Sequence, residues 1–308
     1  MNWGAIVVAA GHGTRFGRPK QLLALAGRPM IAWSIDAFAS MAEIGELVVV
    51  TEPEHVAAMQ SVLDERVVHA RTAVVRGGAT RQASVQAGLD ALSDGVTAVL
   101  VHDGARPLVR TGDVREGMRP VRAGIASLLA APVVDTVKVA GADRKVTRTL
   151  DRSELWAAQT PQLALLADLR RAHSEALRRG ETAATDDATL LERAGCDVLI
   201  VPASGDNFKV TVPDDLTRAE AVLRERGEHS AENDVLVIEC FVDPASVDAV
   251  LLELEARSAR VDEIDRDLPS AAVVRAYVTN AALRGFGARL RVVAGAGAIF
   301  TAHQPQSA

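Results

Sequence analysis

The 308 residues are 48% apolar and 24% charged with a formal net charge of −6, a length that accommodates two domains and a composition that supports a sizeable core. The mild acidity excludes a chain-wide electrostatic footprint for nucleic acid, so any basic site must be local. Cys196 and Cys240, the only cysteines, stand far apart without Cys/His spacing, which gives no metal-ligand signal and fits a reducing cytoplasm. Met1-Asn2-Trp3-Gly4 carries no basic segment, and no apolar run reaches membrane-spanning length, so a soluble, cytoplasmic protein is expected.

The first element is a short buried strand. Ala5-Ile6-Val7-Val8-Ala9 is too brief for a helix and rich in β-branched residues. It runs into Ala9-Ala10-Gly11-His12-Gly13-Thr14-Arg15-Phe16-Gly17-Arg18-Pro19-Lys20. There Gly11 and Gly13 let the backbone turn tightly and aim successive N–H groups into one concavity, while Arg15 and Lys20 add two cations. These features suggest a triphosphate site. The standard P-loop is excluded because the chain contains no Gly-Lys pair. A dinucleotide fingerprint needs its third glycine where Phe16 stands. Taken alone, the loop is equally compatible with a strand-to-helix turn whose cations are solvated.

Downstream, Pro29 opens a helix carrying Ile31, Ile35 and Phe38, the strand Leu47–Val50 follows, and Pro53 opens a helix with Val56, Met59 and Leu63 before the strand Ala73–Val75. Strands alternating with amphipathic helices predict an α/β domain with a parallel sheet. Arg76-Gly77-Gly78-Ala79-Thr80-Arg81-Gln82-Ala83-Ser84 is a second glycine turn entering a helix, expected beside the first loop. Gly78 would admit a flat base, Ser84 could hydrogen-bond its edge, and Arg81 could pack or pair beside it; an ordinary turn fits equally well. The strand Ala98–Val101 leads into His102-Asp103-Gly104-Ala105-Arg106-Pro107. A carboxylate at a buried strand end over a triphosphate loop is where Mg²⁺ would be held, so Asp103 is the candidate metal ligand, capping of a turn being its structural alternative, and His102 a hydrogen-bonded structural residue.

These three segments together resemble 2-C-methyl-D-erythritol 4-phosphate cytidylyltransferases. Pro132–Lys138, Leu150–Arg152, Leu155–Gln162, Thr185–Ala188, Asn207–Thr211 and Pro213–Leu216 extend the resemblance in the family's order across residues 1 to 226. Four residues separate Arg15 from Lys20, fewer than members of the family usually have. The resemblance implies a Rossmann-like nucleotidyltransferase fold with a mostly parallel sheet and a β-arm. It also implies CMP transfer from CTP to methylerythritol phosphate with Mg²⁺. Arg15, Lys20 and Lys209 would neutralise the phosphates. Ala10, Gly11 and Gly13 would supply backbone contacts to CTP, and Gly78 with Ser84 would read cytosine. Arg106, Thr136, Thr185 and Lys209 match positions that hold the phosphate or hydroxyls of the second substrate. Arg152 and Thr160 match positions that reach a neighbouring subunit's site from an exchanged β-arm, implying a homodimer; without the resemblance both read as ordinary surface residues. A related reading keeps the chemistry and changes the acceptor to ribitol 5-phosphate or another polyol phosphate or phosphonate.

Helix Pro213–Arg226 closes this first domain, and the polar stretch 227–234 reads as a linker. Beyond it come a strand Val235–Val242, Asp243 as N-cap, a helix with Val247, Val250, Leu251 and Leu254, strands Arg260–Arg266 and Ala272–Val278, a helix Asn280–Val293 and a strand Ala298–Ala302. The order βαββαβ predicts an α+β ferredoxin-like domain over 235–308. Leu254–Val261, Leu283–Arg291 and Gly295–Ala298 resemble the C-terminal domain of elongation factor G. With seven Arg, no Lys and nine acidic residues over 235–308, this half is poorly suited to rRNA phosphates. That disfavours a ribosome-associated protein with a degenerate transferase half and favours a domain for assembly or partner binding.

Overall fold

Residues 1–11, 20–66, 68–227, 235–266, 271–283 and 285–303 are described by a computed structural model. In chain order its elements are β1 Trp3–Val8, β2 Ala24–Leu25, β3 Arg28–Pro29, α1 Met30–Ala39, β4 Ile44–Thr51, α2 Val56–Asp64, β5 Arg71–Arg76, α3 Arg81–Ala91, β6 Ala98–Asp103, α4 Thr111–Met118 and β7 Ile125–Pro132. Then follow β8 Lys138–Ala140, β9 Val146–Thr149, β10 Trp156–Leu165, α5 Leu166–Arg178, α6 Asp187–Arg193, β11 Asp197–Pro202 and α7 Pro213–Glu225. The last are β12 Val235–Val242, α8 Val247–Glu255, β13 Arg260–Asp265, β14 Ala272–Thr279, α9 Phe286–Ala294 and β15 Ile299–His303.

Seven strands form one sheet in the order β11-β7-β10-β6-β1-β4-β5. Only β10 runs antiparallel to its neighbours; β1 is parallel to both β4 and β6. The central strands are buried on both faces, which is why they read as unbroken apolar runs. On one face Ile31, Ile35 and Phe38 of α1, Met59 and Leu63 of α2 and Val114 of α4 pack on the sheet. On the other lie Val85 and Leu89 of α3, Leu169 and Ala172 of α5 and Leu190 of α6. The α/β expectation therefore holds, with the sheet mostly parallel. Strands β8 and β9 pair only with each other, forming an arm whose residues are all exposed.

The four later strands form a separate antiparallel sheet in the order β13-β14-β12-β15. Its buried side is filled by Val247, Val250 and Leu254 from α8 and Phe286 and Leu290 from α9. The single helix expected from Asn280 is split. Asn280–Leu283 forms a 3₁₀ turn, Gly285 takes φ +68°, and α9 starts only at Phe286. A left-handed residue cannot continue a right-handed helix, although the apolar spacing carries straight across it. Helix α9 docks on the end of α2, where Arg291 Nη2 donates to the Asp64 carbonyl at 3.0 Å. The expected linker lies, except for Gly227, outside the described residues. Among the described residues no helix is long and apolar enough to cross a membrane.

Candidate active site

Three loops leave β1, β5 and β6 at their carboxyl ends and are tied to the ends of the strands beside them. Ala9 N–H donates to Val50 O at 2.6 Å, Gly77 N–H to Thr51 O at 2.7 Å and Gly104 N–H to Val8 O at 2.9 Å. The second glycine turn does lie against the first. A Cβ on Gly77 would stand 2.5 Å from that of Ala10, so only glycine permits this approach. Gly11 is exposed, and among the described residues only Gln21 Nε2 lies within 4 Å of where its Cβ would stand, at 3.9 Å. Ser84 is buried; its hydroxyl accepts from Gly78 N–H at 3.1 Å and donates to Thr80 O at 2.9 Å, fixing the shape of the turn. Arg15 and Gly13 lie outside the described residues.

Asp103 ends β6 and gathers cations from three parts of the chain. Its Oδ2 lies 2.9 Å from Lys209 Nζ and 3.9 Å from Arg106 Nε, and its Oδ1 lies 3.3 Å from Arg81 Nε. Burial opposes ionisation, but Arg81 and Lys209 outweigh it and hold the carboxyl well below the usual carboxylate range. Burial likewise lowers the Arg106 guanidinium, with Asp103 pulling the other way. Two donors here, Arg81 Nη2 and Arg106 Nε, are buried with no hydrogen-bond partner among the described residues. Lys20, in the 3₁₀ turn Lys20–Leu22, gives Nζ to Val210 O at 2.9 Å, the carbonyl next to Lys209. The segment bearing Lys209 is anchored as Val210 N–H donates to Ala105 O at 2.8 Å and Asn207 Nδ2 to Thr160 O at 2.8 Å.

His102 points into the protein. Its Nδ1 lies 3.1 Å from Thr160 Oγ1 and its Nε2 3.0 Å from Arg106 O, with Phe38 edge-on to the ring. Burial lowers its pKa to about 4, so it is neutral near pH 7, a structural residue as expected.

Thr160 differs from both expectations. It is neither on the arm nor on the surface: it is buried in β10, and its hydroxyl accepts Asp103 N–H at 3.0 Å within the same chain. Strand β10 begins at Trp156, so by residue 160 the chain has already re-entered the sheet. Thr136 and Arg152 stand exposed beside the arm, Arg152 Nη1 donating to Val134 O at 2.8 Å. Thr185 is exposed one residue before Asp186, which caps α6. Ala10 thus meets the turn that holds Gly78 and Ser84, and contacts tie Asp103, Arg106, Thr160 and the Lys209 segment with Lys20 together, while no hydrogen bond among the described residues ties Thr136, Arg152 or Thr185 to Asp103.

Sequence reasoning did not find the company Arg81 keeps. Its Nη1 lies 2.8 Å from Asp187 Oδ2, and Asp187 Oδ1 lies 3.3 Å from His173 Nε2. Arg81 was expected near the base edge; it serves Asp103 and Asp187 instead. His173 has no motif to announce it, being one apolar-face position of α5.

The profile of the family described as 2-C-methyl-D-erythritol 4-phosphate cytidylyltransferase (IspD) matches residues 4–225. The chain belongs to this family of nucleotidyltransferases. A protein of that name from Prochlorococcus marinus (strain MIT 9313) is 45% identical over 224 residues, which cover 72% of this chain and 98% of that one. Its namesake from Pelotomaculum thermopropionicum is 43% identical over 231 residues, covering 74% and 97% of the two chains. Among solved structures, the enzyme of that name from Thermus thermophilus is 35% identical with a TM-score of 0.58, covering 73% of this chain and all of its own. The 4-diphosphocytidyl-2C-methyl-D-erythritol synthase from Anaerococcus prevotii DSM 20548 gives a TM-score of 0.65 at 27% identity, with 72% and 98% covered. The family match ends at residue 225, before the four-stranded sheet begins.

Proposed function

We propose that the protein transfers the cytidylyl group of CTP to 2-C-methyl-D-erythritol 4-phosphate, releasing pyrophosphate. The observation that carries this reading is the Asp103 cluster: one ionised carboxylate in contact with Arg81, Arg106 and Lys209, with two buried guanidinium donors left unsatisfied among the described residues. Unsatisfied buried donors are costly in the absence of an anion and become assets when phosphate oxygens arrive.

In this reading a phosphate oxygen of the acceptor attacks the α-phosphorus of CTP, and the bond from that phosphorus to the bridging oxygen of the β-phosphate breaks. No covalent enzyme intermediate is needed, so catalysis is positioning and charge stabilisation. Arg15, Lys20 and Lys209 neutralise the phosphates. Ala10, Gly11 and Gly13 offer backbone contacts to CTP. Gly78 and Ser84 hold the turn that presents the base: a Cβ on Gly78 would stand 2.5 Å from that of Ala83, so its missing side chain serves the turn rather than the base. Arg106 takes the acceptor's phosphate, and Thr160 fixes the strand end that carries Asp103. The donor set also fits Mg²⁺: an ionised oxygen at a strand end, with phosphate and water to supply the remaining ligands. Asp103 would hold the ion, which when bound supplies Lewis-acid polarisation of the phosphates.

The exposed arm, with Val134 and Val146 at 75% and 59%, and the exposed Leu199 and Ile200 of edge strand β11 support a homodimer by arm exchange, in which Thr136 and Arg152 serve the partner's site beside its Thr185. We divide the chain into a transferase domain 1–226, a linker 227–234 and a second domain 235–308. The second is an α+β ferredoxin-like domain resembling that of elongation factor G, kept for assembly or partner binding. Its βαββαβ order and antiparallel β13-β14-β12-β15 sheet support that assignment.

The test is pyrophosphate release with CTP and Mg²⁺, comparing methylerythritol 4-phosphate with ribitol 5-phosphate. Release with the former alone supports the reading; release only with ribitol phosphate moves the acceptor. Near-normal transfer by folded Arg15→Ala and Lys20→Ala variants would sink the assignment of those residues, and an inactive but folded, dimeric 1–226 fragment would sink the accessory role of the second domain.

A further inference from the structure

We propose that Arg81, held by Asp187 and through it by His173, is the positioning residue that fixes Asp103 for the transfer reaction; this rests on the proposed cytidylyl transfer. Asp103 meets its cations in two different ways. Lys209, on an extended segment with 41% of its side chain exposed, takes Oδ2, whereas Arg81 takes Oδ1 from the protein interior. The guanidinium is a rigid plane, and two carboxylates on two of its nitrogens, Asp103 at Nε and Asp187 at Nη1, leave it no rotation to choose.

Asp187 is itself immobilised. It is buried at the first turn of α6, its N–H donates to Gln162 Oε1 at 2.8 Å, and its second oxygen meets the buried His173 ring at 3.3 Å. The line His173, Asp187, Arg81, Asp103 therefore joins α5, α6, α3 and β6 in a single file of polar contacts. When a triphosphate arrives, Lys209 can exchange Oδ2 for a phosphate oxygen while Arg81 keeps Oδ1, so the carboxylate changes partners without turning. Fold stability gives no reason to build such a file, because buried ion pairs can usually be replaced by apolar groups at little cost.

The experiment compares full-length wild type with Arg81→Lys, Asp187→Asn, His173→Gln and the Arg81→Lys/Asp187→Asn double variant. Two readouts are taken: steady-state kinetics, and Mn²⁺ uptake into the complex with a non-hydrolysable CTP analogue followed by electron paramagnetic resonance. Lysine keeps the charge but lacks the rigid planar fork that holds two carboxylates on separate nitrogens at once. Arg81→Lys and Asp187→Asn should each lower kcat and Mn²⁺ uptake ~10- to 100-fold, with the acceptor KM moving by no more than about twofold. His173→Gln should lose less than either. The double variant should be no worse than Arg81→Lys alone, since Asp187 acts through Arg81.

Folded Arg81→Lys and Asp187→Asn proteins with wild-type kcat and Mn²⁺ uptake overturn the proposal, as does a double variant whose losses multiply. Should Asp187→Asn fail to fold, Arg81→Lys decides alone, its side chain being one-fifth exposed. A wild-type protein that releases no pyrophosphate with methylerythritol or ribitol phosphate fails the proposed function instead, and the Mn²⁺ measurement still tests the positioning.

Discussion

Two ion clusters, one in each sheet, show how charge is used differently along the chain. On the open side of the four-stranded sheet Arg275 sits between Glu239 and Glu263, its cross-strand neighbours in register, donating through Nε and Nη2 to the first and through Nη1 to the second. One cation meets two anions at the surface, and every guanidinium nitrogen is used. At the crevice two anions, Asp103 and Asp187, meet Arg81, Arg106 and the half-exposed Lys209, and among the described residues two guanidinium donors go unused. The first arrangement is complete by itself. The second lacks negative charge and is completed only by an anionic ligand, which is the physical difference between a sheet surface and a binding site.

The sharpest way to break this comparison is to change the sign of the imbalance. Asp103→Asn leaves Arg81 with Asp187 alone and Arg106 buried without its anion, and breaking a buried pair from one side costs about 3 kcal/mol or more. CTP without metal should restore part of the lost melting temperature, because its phosphates supply the missing charge. Lys209→Met should do the reverse. It removes a surplus cation, so the melting temperature should barely move while kcat falls ~10²- to 10³-fold. Equal stability losses in the two variants would show that the cluster is not overcharged.

A smaller effect is expected from shape. Gly77→Ala places a methyl group on Ala10 and against Ser84 Oγ, forcing the two loops apart. Overpacking of this kind costs typically 1–3 kcal/mol; here the loss should appear mainly as a raised KM for CTP, read from initial rates.

That the Gly77 turn lies on Ala10 was legible from the sequence, as was the place of Asp103, because each is written in a few adjacent residues at a strand's end. The alternation of strands and helices was legible for the same reason, since burial on both faces leaves unbroken apolar runs. The Arg81 file was not. Arg81, Asp187 and His173 lie on three helices, and only the folded sheet brings them together. Thr160 was misplaced because the resemblance alone set it on the arm, and its neighbours Gln159 and Pro161 do not announce that β10 has begun at Trp156. The break before α9 was hidden because spacing of apolar residues is blind to the φ of Gly285.

Acid separates the two regions further. His102 is fully buried and its pKa is lowered to about 4, mainly by burial. In the unfolded chain it titrates near 6.5, so between about 6.5 and 4 the unfolded state binds the extra proton and stability falls as pH falls. Over the whole window the loss from this one group is on the order of 3 kcal/mol. Asp103 adds nothing there. Its folded pKa is depressed, so its contribution is complete above the unfolded value near 3.9 and fades only as pH falls toward the folded one. Denaturant unfolding of wild type should steepen in its pH dependence below 6.5, and His102→Gln should flatten that slope while lowering stability at pH 7.

The smallest effect belongs to the balanced cluster. Glu239→Gln removes one of the two anions facing Arg275, leaving Glu263 to hold the guanidinium and water to satisfy the rest, since both Arg275 and Glu263 are exposed. Exposed pairs contribute little because solvent screens what a partner would otherwise supply. CMP transfer should therefore be unchanged and thermal unfolding nearly so, in contrast to any substitution at Asp103. If Glu239→Gln lowered the transfer rate while the protein stayed folded, the four-stranded sheet would be coupled to the crevice through its docking of α9 on α2. The charge comparison would then describe two ends of one device rather than two independent solutions.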